Sequence, residues 1–444
     1  MGASDSRFTH SRRLGLALAL AIGGALVATP GAQQVTFRSA VDMVVVDTQV
    51  LDRDGVPVDK LGAKDFQVWI NNQSRRVVSA DLVRYPLETA VTIAPTADQA
   101  DWIHGELPEV RGRIIVLAID ELSFGQRDLR VAVNTMKQFI AQLQPDDVIG
   151  LYAYPLGTGR VDLTHYHSTI NKRLDEIEGL AVPFDGAFMI TPSEVVDLTA
   201  RDSIAMNRVI ARECPGVGRD PSRPTPQDMR QNFADGTVIN PLSLQDPTCP
   251  ARIQSEANQR AVTQESQTTQ SYLGLRDLLA GLAALPGPKT VVMVSAGMLS
   301  SDRVGGRPDV TGLLKTAGRD AAAADATLYV LHVDNHYLEA EEQMGTFHTH
   351  YTDDLHLNEM RDASTLALGL QQVAGEAGGE YFRITAGTGI NAFNRVLKET
   401  SAYYLLGVQP EAVDRDGRVH TIRVKANAKN ATVRSRTQVT IPKS

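Results

Sequence analysis

Apolar positions along this chain fall into three regimes. From Val35 to Tyr85 they show no helical period. From Arg111 to about Gly407, short apolar runs take turns with stripes of helical spacing. From His420 to Ile441 a period of two returns. Period two marks strands with one buried face, and alternation of runs and stripes marks strands and helices in succession.

The middle regime opens with Ile114 to Ile119, an unbroken apolar run that suits a strand buried on both faces. Asp120, Glu121 and Ser123 stand just past its carboxyl end. Leu129, Val133, Met136, Ile140 and Leu143 then recur along one helical face. Val148 to Pro155 is a second buried strand, so a βαβ unit presents a carboxylate at its crest. The carboxyl edge of an open α/β sheet is where ligands bind.

The same reading predicts a short edge strand over Arg160 to Leu163 and a helix from about His167 to Ile177. Ser193 to Glu213 is helical in character. A long helix ends at Leu285, with Leu275, Leu278, Leu279 and Leu282 on its apolar face, and Pro286-Gly287-Pro288 stops it. Strands are expected over Lys289 to Gly297, Ala326 to Asp334 and Glu380 to Ile384. Helices are expected over Leu313 to Ala324, from about Ser364 to Glu376, and through Phe393 and Leu397.

The flanks read as β structure. Asp54-Gly55 marks a hairpin between two strands, and Asp416-Gly417 makes a second turn near the end. The economical fold is a doubly wound, mostly parallel α/β sheet inserted in a small β-rich, sandwich-like domain built from both ends. The boundaries are residues 33–86 for the first β segment, 87–110 for a linker, 111–407 for the α/β domain with an insertion over 190–270, and 408–444 for a β segment pairing with 33–86. Two separate β units are the alternative.

Residues 1–32 stand apart. Arg7, Arg12 and Arg13 precede an apolar run from Leu14 to Val27, and small residues follow to Ala32. This is the layout of an export signal, too short for a comfortable membrane span. The alternative is an uncleaved anchor. Ser11-Arg12-Arg13 leaves both the general and the twin-arginine route open. The expected location is the periplasm or the exterior. Cys214 and Cys249 are the only two cysteines, and in an exported chain such a pair reads as a disulfide; two buried thiols is the other reading. At 444 residues the chain exceeds one ordinary core. Its net charge of −8 is spread out, with no basic stripe along the sequence, which argues against nucleic acid as a partner.

Five segments carry a resemblance: VVVDTQVLDRDGVPVDKLGAKDFQVW, IIVLAIDELS, LQPDDVIGLYAYP, LAALPGPKTVVMVSAGM, and YYLLGVQP with DGRVHTIRVK. Residues Arg111 to about Gly407 resemble a von Willebrand factor type A (vWA) domain, and the chain is similar to the exported vWA-related family of acidobacterial type. The resemblance implies a doubly wound sheet whose crest, in many such domains, holds Mg²⁺ through an Asp-x-Ser-x-Ser motif with a Thr and an Asp from other loops. Asp120 matches the first ligand. Leu122 and Phe124 stand at the two serine positions, Ser123 is one residue out of place, and Ala296 replaces the later carboxylate. Asp120 and Ser123 are thus the expected remnant of a degenerate site. Thr191, Asp185 and Asp302 are possible substitutes.

A second constellation lies in residues 332–362, where His332, His336, His348, His350 and His356 stand near Asp334, Asp353 and Asp354. Folded back on itself this segment could hold Zn²⁺; a solvated loop is the plainer reading. There is no Gly-x-Ser-x-Gly elbow and no glycine-rich phosphate loop before a helix. The expectation is an exported, non-enzymatic binding protein. It would take a protein partner at a crest built on Asp120, Glu121, Ser123 and Ser295. The loop between Cys214 and Cys249 and the 332–362 segment would form its rim. The competing expectations are a metal-dependent enzyme using residues 332–362 and a purely structural envelope component.

Overall fold

A computed structural model describes residues 43–85, 112–157, 159–181, 186–214, 246–285, 287–334, 352–384 and 389–443. Two sheets organise them. The first has six strands: β4 (Ile114–Asp120), β5 (Val148–Tyr154), β6 (Val161–Thr164), β7 (Lys289–Ser295), β8 (Ala326–Val333) and β9 (Glu380–Ile384). Their order is β6-β5-β4-β7-β8-β9. All neighbours run parallel except β6, which lies antiparallel on the β5 edge.

Every residue of β4 is buried. Its alternate side chains therefore go to two different helical layers. Ile115, Leu117 and Ile119 pack with α1 (Gln126–Ile140), α2 (His167–Leu174) and α9 (Gly389–Glu399). Val116 and Ala118 pack with α5 (Cys249–Leu282), α6 (Thr311–Leu314), α7 (Ala317–Ala323) and α8 (Thr352–Glu376). Helices on both faces are the reason the strands lack alternation. The chain leaves β4 towards β5 and β6, then returns to the other side of β4 for β7 to β9. The order reverses between β4 and β7, and a crevice opens at such a switch point beyond the carboxyl ends. Those ends are Asp120 and Ser295.

The second sheet is antiparallel and curled. It comprises β1 (Val44–Leu51), β2 (Phe66–Ile70), β3 (Gln73–Arg84), β10 (Ala402–Gln409), β11 (Val419–Ala426), β12 (Thr432–Ser435) and β13 (Gln438–Thr440). Its order is β12-β1-β10-β3-β2-β11-β13. The edge strands β12 and β13 are separated in the chain only by Arg436 and Thr437, so the sheet curls its ends towards each other. Val46, Val68, Ile70, Tyr404, Leu406 and Ile422 fill its inner face. Arg75 is buried there against Asp414, with bonds of 2.6 and 2.8 Å to its two carboxylate oxygens.

Several boundaries differ from the sequence expectation. Ala402 to Gly407 lie in the antiparallel sheet, because β10 pairs with β1 and β3 and turns Tyr404, Leu406 and Val408 into its core. The crossing between the sheets thus precedes Ala402. Ser193–Glu213 divides into α3 (Pro192–Thr199) and α4 (Ser203–Glu213). Arg201 takes a left-handed φ of 60° between them, and the Asp202 carboxylate caps α4 by accepting from the Ile204 and Ala205 N–H groups. The Leu313–Ala324 helix is likewise two short ones. Past Asp54-Gly55 the returning arm keeps one bridge, Leu51 with Pro57; Pro57 has no N–H to extend a ladder. α8 begins at Thr352, twelve residues before Ser364, inside the segment expected as a loop.

Candidate functional site at the sheet crest

Asp120 closes β4 and is 2% exposed. Its two carboxylate oxygens are both engaged. Ser271, from the middle of α5, donates to Oδ1 at 2.6 Å. Ser295, at the end of β7, donates to Oδ2 at 3.2 Å. Burial pushes the Asp120 carboxyl up to about 6, against the pull of the hydroxyls and of the Leu122 N–H, with Glu121 adding to the rise. Burial beside the Asp120 charge also raises Tyr154 well above the usual phenol range.

Ser123 is committed to the backbone. Its hydroxyl donates to the Asp120 carbonyl at 2.8 Å and accepts from the Ala296 N–H at 2.9 Å. The Ala296 carbonyl in turn accepts from His332 Nε2 at 3.0 Å, which leaves Nδ1 facing the Tyr381 hydroxyl at 2.7 Å. A continuous polar network thus ties the ends of β4, β7 and β8. Glu121 is buried at 1% exposure, and its carbonyl accepts from the Leu180 N–H at 2.8 Å.

α5 covers this network. Gly274 lets it seat closely: an added Cβ would lie 2.9 Å from both Pro155 Cα and Tyr154 Cβ. Further along, Glu265 of α5 holds the Arg307 guanidinium. The N-terminus of α5 is bonded covalently to the end of α4 by the Cys214–Cys249 disulfide, whose two residues are buried among Ile190, Val195, Leu198 and Ile253.

The residues expected as the floor of the crest lie at the carboxyl ends of β4 and β7. Asp120, Glu121, Ser123 and Ser295 come together there, and Asp120, Glu121 and Ser295 are buried. Ser271 was not foreseen. Its signal was position: it lies four residues before Leu275, on the buried face of the helix.

These donors do not fit a divalent cation as they stand. Mg²⁺ needs near-octahedral oxygen ligation. Each oxygen of the Asp120 carboxylate accepts from a serine hydroxyl, the Glu121 carboxylate is buried beside it, and the third hydroxyl, of Ser123, serves the backbone. The substitutes are committed elsewhere. Thr191 forms the capping box of α3 with Glu194, and Asp302 lies 3.5 Å from Arg361. Asp185 lies outside the described residues. Of the His/Asp segment, His332 is inside β8 and Asp334 pairs with Arg383. His336, His348 and His350 fall outside the described residues, and Asp353, Asp354 and His356 belong to the first turns of α8. No group of three metal-ligating His, Cys, Asp or Glu side chains occurs among the described residues.

No family model matches the chain, and no curated protein matches it by sequence. Among solved structures it is similar to the conserved hypothetical protein BatB from Bacteroides thetaiotaomicron, at 12% identity and a TM-score of 0.28, over 65% of this chain and 98% of that one. So low a score carries neither fold nor function across. Among the described residues, no helix is long and apolar enough to cross a membrane.

Proposed function

We propose that this chain is an exported, non-enzymatic binding protein with a vWA-type domain, and that it takes a protein partner on the covered crest of the parallel sheet. One observation carries the reading. Leu156, Ile204, Val304 and Met360 are between 65% and 102% exposed, the most exposed large apolar side chains among the described residues of the α/β part. Leu156 follows the carboxyl end of β5, and Val304 lies in the loop leaving β7. Ion pairs of Arg303 with Asp202 and of Arg361 with Asp197 and Asp302 tie together the segments that carry Ile204, Val304 and Met360. Arg303 and Arg361 share Asp197. Exposed apolar groups rimmed by charge mark interaction surfaces.

Export is supported by the N-terminal pattern together with the disulfide. Recognition on this crest is independent of Mg²⁺, because the Asp120 oxygens are held by Ser271 and Ser295. The test is binding of a captured envelope partner to Val304→Asp and Met360→Asp variants. Surface substitutions of this kind cost little stability. Loss of the partner from folded variants supports the reading; unchanged binding sinks it.

A further inference from the structure

The outer face of the curled sheet carries a feature that the crest does not explain. Where β3, β2 and β11 lie side by side, Trp69 pairs with Arg423 and with Ser74, and Gln67 pairs with Lys425. Val68 pairs with Arg75, so Arg76 follows on the outer rung beside Gln67. Period two puts Gln67, Trp69, Ser74, Arg76, Arg423 and Lys425 all on the outer face. Arg76, Arg423 and Lys425 are exposed. None of these three cations joins an ion pair among the described residues. The Arg423 guanidinium stacks over the Trp69 ring at 4.5 Å, and the Lys425 ammonium lies 5.7 Å from it.

This stretch of face is neutral or cationic at every outward position, in a chain of net charge −8. Elsewhere the described arginines are largely spent on carboxylates, such as Arg75 on Asp414 and Arg212 on Glu194. Over Val68 to Ile70 the β2 backbone is engaged with β3 on one side and β11 on the other, so what the middle of this face offers is side chains. What remains is a smooth ladder of side chains with an aromatic ring among cations. That matches a delocalised anionic plane better than a chain threaded into a groove. Tryptophan and lysine or arginine together are the side chains that settle at a bilayer interface.

We propose that the β2–β11 face docks peripherally on anionic phospholipid headgroups. The claim is independent of the crest. Each cation near an anionic leaflet contributes about a fivefold gain in partition. The experiment uses residues 33–444, the chain that signal removal would leave, carrying Trp102→Phe so that Trp69 is its sole tryptophan. Phosphatidylcholine vesicles with and without phosphatidylglycerol are sedimented with it, and Trp69 emission is followed.

The expected result is binding to the anionic vesicles alone, a blue shift of Trp69, and loss of binding as salt is raised. Arg423→Gln with Lys425→Gln should lower the partition about 25-fold, while Arg423→Lys should retain it. Equal binding to neutral vesicles, or a double variant that binds as well as its parent, would overturn the proposal. So would binding of soluble polyglutamate with none to vesicles, which would give the face to an acidic protein instead.

Discussion

Ser271 donates to Asp120 across 151 residues of chain, at 2.6 Å. This bond fastens the long helix α5 over the carboxyl end of β4. It also uses the carboxylate oxygen that a crest cation would otherwise need. The contact therefore bears on both the shape of the crest and its chemistry.

The Asp120 carboxyl, raised to about 6 from its ordinary 3.8, binds a proton more readily in the folded chain than in the unfolded one. Stability from this group is greatest below its unfolded value and is lost as pH rises through the folded one. At about 1.4 kcal/mol per pH unit the loss approaches roughly 3 kcal/mol. Asp120→Asn keeps an oxygen acceptor for Ser271 and removes the charge. Urea denaturation of both proteins from about pH 4 to pH 8 should show the variant gaining on the wild type as pH rises. A variant clearly less stable than wild type at the alkaline end would contradict the assigned burial cost.

Gly274 opposes two ordinary rules. Alanine in mid-helix is better than glycine by about 1 kcal/mol. Yet at this position a Cβ would press against Pro155 and Tyr154 at 2.9 Å. Overpacking of that kind costs about 1–3 kcal/mol. Gly274→Ala should therefore destabilise the protein, whereas Gly281→Ala, with nothing near its Cβ, should be neutral or stabilising. Matched thermal melts of the two variants decide the point.

The disulfide closes a loop with a sequence separation of 35. On the chain-entropy account such a closure contributes about 4 kcal/mol. Cys214→Ser with Cys249→Ser should lower unfolding free energy by that order, through the α3–α4–α5 cluster in which both sulfurs are buried. Denaturation of the wild type with and without reductant should reproduce the change. Equal stability under both conditions would show that the cluster holds without the bond.

The sequence made some of these features plain and hid others for definite reasons. Asp120 was visible because six apolar residues stop abruptly at it, and burial on both faces leaves no other pattern. Ser271 was hidden because the recurrent leucines of α5 begin only at Leu275. Upstream, the buried face continues through Thr268 and Ser271, which look like surface residues. The first half of α8 was hidden the same way. Its buried positions include Asn358, Asp362 and Thr365, and Asp362 accepts from the Ser193 N–H at 2.6 Å. A helix whose inner face is polar gives no hydrophobic period. The end of the α/β segment was placed too late because β10 is as apolar as the parallel strands, and only its pairing with β1 and β3 assigns it to the other sheet.

The most direct test of the account is capture of an envelope partner by residues 33–444, run side by side in Mg²⁺ and in EDTA. The hydroxyl-saturated Asp120 predicts the same partner in the same yield under both conditions, with loss on Val304→Asp and Met360→Asp. A partner retained only with Mg²⁺, and released when Asp120 or Ser123 is replaced, would mean that the crest opens to bind a cation and that its present closure by Ser271 is not the state that recognises.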